Sequence, residues 1–400
     1  MPSSLTWLDV SAEHQRRVRD MIRLFEEPGT RDELGVGPVR DAFSDLLFPG
    51  TSTIQTRARY FLFIPWHFQD AQRRGARGQQ LTQRVDRSER QLIERFRKAG
   101  QVEGLIGRQA GPKVKTLPTT IYWNGLDRWG VLTASMSQRA VAQLASGSAD
   151  VDDEVSSGPV NPWHPTLPAA PPGFPDEHSG GFDLTFDEAS WLRERILHAA
   201  DGRLLAHLVN GSEILGADAP WEEPVVNTAS DDIKEVVEHA RRFSLTLHGA
   251  ALLYNLLVSE TYETKGLTKV DAPVDRYRSA LADWATEMHA EGDPEWDWPE
   301  FWLTVGAGHA RIPHLARTFV ESWVAGTLEA GAAQVADDDG LRRMVERRVT
   351  GLRGGKSVLA NPKLLGLWGG SSGASPLDYR WGTVRRLVLD VQEGLARAGA

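Results

Sequence analysis

Apolar residues recur three and four positions apart along most of this chain, and strict alternation is nearly absent, so the pattern predicts a mainly α-helical protein. A first amphipathic helix is expected over 11–27, with Val18, Met21, Ile22 and Phe25 beside a polar face of Arg16, Arg17, Asp20 and Arg23. Thr30 and Glu33 have capping-box spacing, and Pro38 suits a first helical position. Val39, Ala42, Phe43, Leu46 and Leu47 make the buried stripe of the helix that follows. Phe48-Pro49-Gly50-Thr51 ends it, since proline lacks the amide donor and glycine permits a reversal. Ser52 and Gln55 repeat the capping-box spacing, and Ile54, Ala58, Phe61 and Leu62 stack on one side until Pro65.

Two helices flanking a glycine-containing turn match the description of a helix-turn-helix. Its second helix would open with Thr53, Gln55, Thr56, Arg57 and Arg59, side chains suited to phosphates and base edges. The run Tyr60-Phe-Leu-Phe-Ile64 is apolar almost all round, which equally fits an αα-hairpin in a helical core with its arginines paired to Asp41 or Asp45.

Downstream, 69–98 is basic, with Arg73, Arg74, Arg77, Arg84, Arg87, Arg90, Arg95, Arg97 and Lys98 over a stripe of Leu81, Val85, Leu92, Ile93 and Phe96. Lys113 and Lys115 follow in a loop bounded by glycine and proline, which allows a winged-helix-like unit. Seven prolines between Pro159 and Pro175 make 146–181 read as an extended linker. The expected domains are therefore a basic helical domain over 1–145, that linker, and an acidic all-α domain over 182–400. Within the last, Thr185 and Glu188 form a capping box, 230–259 is the longest periodic segment, and helices are expected at 274–289, 313–328, 338–352 and 383–397.

Charge sharpens this division. The chain carries −9 overall, but residues 1–120 hold 20 Lys and Arg against 14 Asp and Glu, and the remaining 280 hold 25 against 40. An asymmetry of that kind points to a nucleic-acid-facing part joined to a part with other business; uneven solvation of helices is the plain alternative. Zero cysteines exclude a disulfide framework and thiolate chemistry and fit a reducing compartment, with the cytoplasm as the expected location. Neither an export signal nor a membrane span is expected, because apolar runs such as 250–258 are too short.

No motif assigns catalysis, a cofactor or a metal. Gly369-Gly-Ser371-Ser-Gly373 has the letters of a nucleophile elbow but lacks the strand before it and a histidine after it, and reads as a loop between helices. Gly355-Lys356-Ser357 would need glycine at position 350, where the chain has threonine, to be a phosphate loop. His309 and His314 are five apart across Pro313, which does not present two ring nitrogens to one ion. Fourteen tryptophans read first as core mass, with Trp296 and Trp298, set among acids, reading as cover for a partner.

The blocks DELGVGPVRDAFSDLLFPGTSTIQTRARYFLFIPW and SGASPLDYRW resemble an uncharacterised bacterial family catalogued as a domain of unknown function, DUF6361. The resemblance implies an accessory role in antiviral defence regions, beside helicases and nucleases, and carries over no catalytic residue. The resulting expectation is a double-stranded DNA-binding accessory protein. Thr53, Gln55, Thr56, Arg57 and Arg59 would touch the duplex, and Arg73, Arg74, Arg77, Lys113 and Lys115 would neutralise phosphates. Binding by residues 1–135 would be salt-sensitive and lost on charge reversal at Arg57 and Arg59. A scaffold that holds a helicase or nuclease partner, and an enzyme with a site assembled from dispersed residues, are the competing classes.

Overall fold

The helical periodicities become fourteen α-helices in the computed structural model, which describes residues 32–144, 161–177, 180–211, 215–292, 296–308 and 311–397. In chain order they begin with α1 (Gly37–Leu47), α2 (Tyr60–Arg73), α3 (Gly78–Lys98), α4 (Pro118–Arg128), α5 (Gln138–Leu144), α6 (Phe186–Ala199) and α7 (Leu204–Asn210). The second half holds α8 (Asp231–Thr264), α9 (Pro273–Glu291), α10 (Trp298–Ala307), α11 (His314–Ala330), α12 (Asp339–Arg353), α13 (Pro362–Gly366) and α14 (Trp381–Ala396). Among the described residues there is no strand, only an isolated antiparallel bridge between Leu132 and Trp163, so the protein is mainly α and shows no wing. The helix expected over 11–27, Thr30 of the first capping box, and His309 lie outside the described residues.

Among the described residues two compact units divide the chain, one within 48–230 and 380–397, the other within 32–47 and 231–379. This partition differs from domains 1–145 and 182–400, because burial joins distant segments that composition alone separates. In the first unit α2 is the centre: Tyr60 to Phe68 are buried without exception, which accounts for the run that is apolar all round. Phe61 stacks on Trp129 at 3.9 Å, Phe63 packs against Phe96 and Phe174, and Phe68 meets Trp123 and Trp163. Pro65 sits inside the helix rather than closing it. A mid-helix proline costs about 3 kcal/mol. Burial of Trp66 and Phe68 beyond it, at roughly 1.5–3 kcal/mol for each large apolar side chain, outweighs that cost and carries the helix to Arg73.

The described part of the proline-rich stretch, 161–177, is a packed strap of the first unit and not a free linker; 145–160 lie outside the described residues. Trp163 is fully buried, Trp66 Nε1 donates to Pro168 O at 2.7 Å, and Phe174 lies against Phe63 and Trp66. Prolines lack the amide but keep the carbonyl, and here those carbonyls accept from side chains of the core helices. The Thr185–Glu188 capping box forms as expected at the start of α6. Along α6 runs α14, brought close by Gly394, where a Cβ would stand 2.6 Å from Ala189 Cβ.

The second unit is built on α8, 34 residues long, matching the longest periodic segment of the sequence. Gly249 on α8 receives the Trp284 ring of α9, whose Nε1 donates to Leu245 O at 2.8 Å. Phe43 of α1 joins Phe243, Phe301 and Tyr379 in an aromatic cluster. The Gly369–Gly373 loop docks on α8 through reciprocal 2.8 Å bonds between the Asn255 amide and the Ser372 backbone, the structural role expected of it. No helix of the described residues is long and apolar enough to cross a membrane.

Candidate nucleic-acid interface

The expected reading helix does not form where it was placed. Residues 48–59 are irregular, α2 begins only at Tyr60, and the two helices of the supposed motif belong to different units. Gln55 explains the false signal: its Oε1 accepts from Ser52 N at 3.2 Å, the return half of a capping box, while its Nε2 donates to Gly50 O, so the same side chain closes a turn. The following amides are engaged elsewhere. Thr56 N and Arg57 N donate to Tyr122 Oη at 2.7 and 3.0 Å, that hydroxyl donates to Arg57 O, and Ala58 N donates to Asp390 Oδ2.

Arg57 and Arg59, the residues meant to contact the duplex, are 7% and 2% exposed. Arg57 Nε donates to both oxygens of Asp390 at 3.0 Å, and its guanidinium lies over the Phe182 ring. Arg59 donates to Glu188 Oε1 and to Gly181 O, each at 2.8 Å. Their acids are therefore Asp390 and Glu188, in place of Asp41 or Asp45. Burial raises the Asp390 carboxyl, an effect that the Arg57 hydrogen bonds and charge oppose. Thr56 Oγ1 donates to Gly104 O, Gln55 is buried, and of this group Thr53 alone is exposed.

Arg74 and Arg77 also have structural work. Arg74 pairs with Asp70 at 2.9 Å and with Asp176 at 3.2 Å, while Arg95 reaches the same Asp176, so one carboxylate ties the proline strap to both α2 and α3. Arg77 donates to Gln72 O in the last turn of α2 and to Ala76 O in the segment after it. Arg73 remains 66% exposed, with only a 3.9 Å approach to Asp70.

A different basic surface is built on α3, a 21-residue helix whose buried stripe is Leu81, Val85, Glu89, Leu92, Ile93 and Phe96. At about 100° per residue, Arg84, Arg87, Gln91 and Lys98 fall within about 60° of one another on the opposite side. Arg90 sits on the flank, paired with Asp86 at 2.7 Å and donating to Pro112 O and Val114 O. Those two carbonyls bracket Lys113 and precede Lys115, so Arg90 clamps the exposed lysine loop against α3. Arg97 lies over Gly111, where a Cβ would come 2.3 Å from its Nη1 and where φ is +58°. Among the described residues no acid pairs with Arg84, Arg87, Arg97, Arg108, Lys113 or Lys115. Lys113 and Lys115 are exposed, as are Arg87 and Arg97, whereas Arg57 and Arg59 are buried. The exposure of Arg87 is legible from the α3 periodicity, while Arg84 is half-buried; the Arg90 clamp is not legible, because it depends on a 22-residue contact.

Beneath this face α2 and α3 enclose a cavity of about 10 Å³ lined by Tyr60, Phe63, His67, Glu89 and Leu92, room for one water and not for a substrate. Burial raises the Glu89 carboxyl to about 8, although Thr119 N and Oγ1 both donate to it. Burial lowers His67 to about 3, with Arg95 adding to the effect; its Nδ1 meets Ser88 Oγ at 2.8 Å.

A helical protein with a basic face on one long helix is the class that fold and surface define. The pattern of a family of unknown function (DUF6361) matches residues 2–396, and the chain belongs to that family. No curated protein and no solved structure matches it.

Proposed function

We propose that the protein is a nucleic-acid-binding accessory factor that holds double-stranded DNA by its phosphates on the outer face of α3. The observation carrying this reading is the Arg90 clamp, which holds the loop of Lys113 and Lys115 against α3, the helix that bears Arg84, Arg87 and Arg97, with none of these five in an ion pair among the described residues. Arg87 and Lys98, the latter paired with Glu94 at 3.0 Å, lie about 16 Å apart along the helix, a span over which one DNA strand presents several phosphates. Base reading is no part of the proposal, because of the residues meant for it only Thr53 is exposed. The net charge of −9 repels the duplex at long range and makes binding weak and salt-sensitive. In the defence setting that the family resemblance implies, such a factor would retain DNA for a helicase or nuclease.

Titration of the full chain into a labelled 30-base-pair duplex between 50 and 200 mM salt tests this. Affinity should fall steeply with salt, and Arg84→Glu with Arg87→Glu, Lys113→Glu and Lys115→Glu should abolish binding while leaving the melting temperature near wild type. Each phosphate contact removed should lower the log–log salt slope by about 1. Binding that is absent in the wild type, or unchanged in the fourfold variant, overturns the proposal.

A further inference from the structure

We infer that Glu235, His239 and Glu300, in the second unit, form a binding site for a divalent transition-metal ion of the zinc class. Glu235 and His239 are four apart on α8 and share one face, the spacing that directs two donors to one ion. Glu300 arrives from the first turn of α10, where its own amide donates to the Asp297 side chain at 3.0 Å. Ligand atoms of all three residues lie within 4.8 Å of one another.

His239 supplies the independent observation. Its ring packs edge-on against Phe301 at 5.8 Å, and its Nε2 is buried with no hydrogen-bond partner, the closest acid being Glu235 Oε1 at 3.9 Å. Buried ring nitrogens are ordinarily satisfied, so an unpartnered one beside two carboxylates points to a metal-binding role. Two carboxylates converge on this ring nitrogen, and a cation between them removes their mutual repulsion.

The donor set selects the metal. One imidazole and two carboxylates suit zinc and its neighbours, whereas magnesium and calcium favour all-oxygen shells. A tetrahedral zinc with bonds of about 2.0–2.1 Å brings donors to roughly 3.4 Å from one another, so the site must close slightly. Glu235 and Glu300 are exposed and free to rotate inward, while the packed His239 ring stays in place. Three protein ligands leave a fourth position for water, and the ion would tie α10 to α8.

Calorimetric titration of the tag-free full chain with zinc chloride, with thermal melts in zinc or magnesium chloride, tests the site. One zinc per chain should bind and raise the melting temperature, and magnesium at the same concentration should do neither. His239→Ala should abolish binding, and Glu300→Gln, a change at an exposed side chain that keeps the fold, should weaken it at least tenfold, in the range that changes around a metal site produce. No saturable zinc binding, or binding equal in wild type and Glu300→Gln, overturns the inference.

Discussion

At Glu89 and His67, burial acts on the proton in opposite directions. The folded carboxyl of Glu89 keeps its proton to about 8, whereas it ionises near 4.5 when unperturbed. Between those values folding takes up a proton, so Glu89 costs stability as pH rises through that window. His67 stays neutral in the fold down to about 3 from an ordinary 6.5, so it costs stability as pH falls from 6.5 towards 3. From 4.5 to 6.5 the two slopes cancel; above that range Glu89 acts alone, and below it His67. Glu89→Gln keeps an acceptor for Thr119 and removes the titration. Its stability relative to wild type should climb by about 1.4 kcal/mol per pH unit from pH 5 to pH 8 in urea unfolding. A difference curve that is flat over this range would show that Glu89 is ionised in the fold.

Arg57 and Asp390 make a second residue-scale case, because both are buried and lie 333 positions apart. Removing one member of such a pair leaves an uncompensated charge, so Asp390→Ala should destabilise by about 3–5 kcal/mol. Arg57→Met combined with Asp390→Leu should recover most of that loss. A double-mutant cycle with coupling near zero would mean the two side chains do not depend on each other.

Elements show why some features could be read in advance. Helices α8, α9, α11, α12 and α14 begin and end within a few residues of their expected bounds, since each carries its own apolar stripe and end signals. The Thr185–Glu188 box is legible for the same reason: both partners lie in one turn. Ser52 and Gln55 have the same spacing and no helix follows, because Tyr122 and Asp390, remote in sequence, take up the next three amides. Local spacing cannot carry that information. Pro65 misled in the opposite sense, as core burial around α2 overrides a local helix breaker. The candidate interface divides likewise. Exposure of Arg87 follows from the periodicity of α3, whereas burial of Arg57 and Arg59 follows from acids on α14 and α6. On the metal site, the Glu235–His239 spacing is visible in one turn of helix; the arrival of Glu300 is not.

On the scale of the whole molecule, the charge asymmetry and the compact units do not share a boundary. The basic segment 1–120 contributes to both units, and the first unit closes only with α6, the strap and α14, the last of these more than 300 residues beyond α2. A fragment ending at residue 145, where composition sets the boundary, lacks Asp390 and Glu188 and leaves Arg57 and Arg59 without their acids. It also lacks Trp163 and Phe174, which cover the aromatic side of α2. Such a fragment should show no cooperative thermal transition and should expose its aromatic core to a hydrophobic dye. Joining 48–230 to 380–397 by a flexible linker restores every one of these partners and should melt cooperatively, because the contacts that complete the unit are then all present. It also retains the α3 face, so it should bind the duplex with the salt dependence of the full chain. A cooperative melt of the fragment ending at 145 would place the folding unit at the compositional boundary and make the remote acids dispensable.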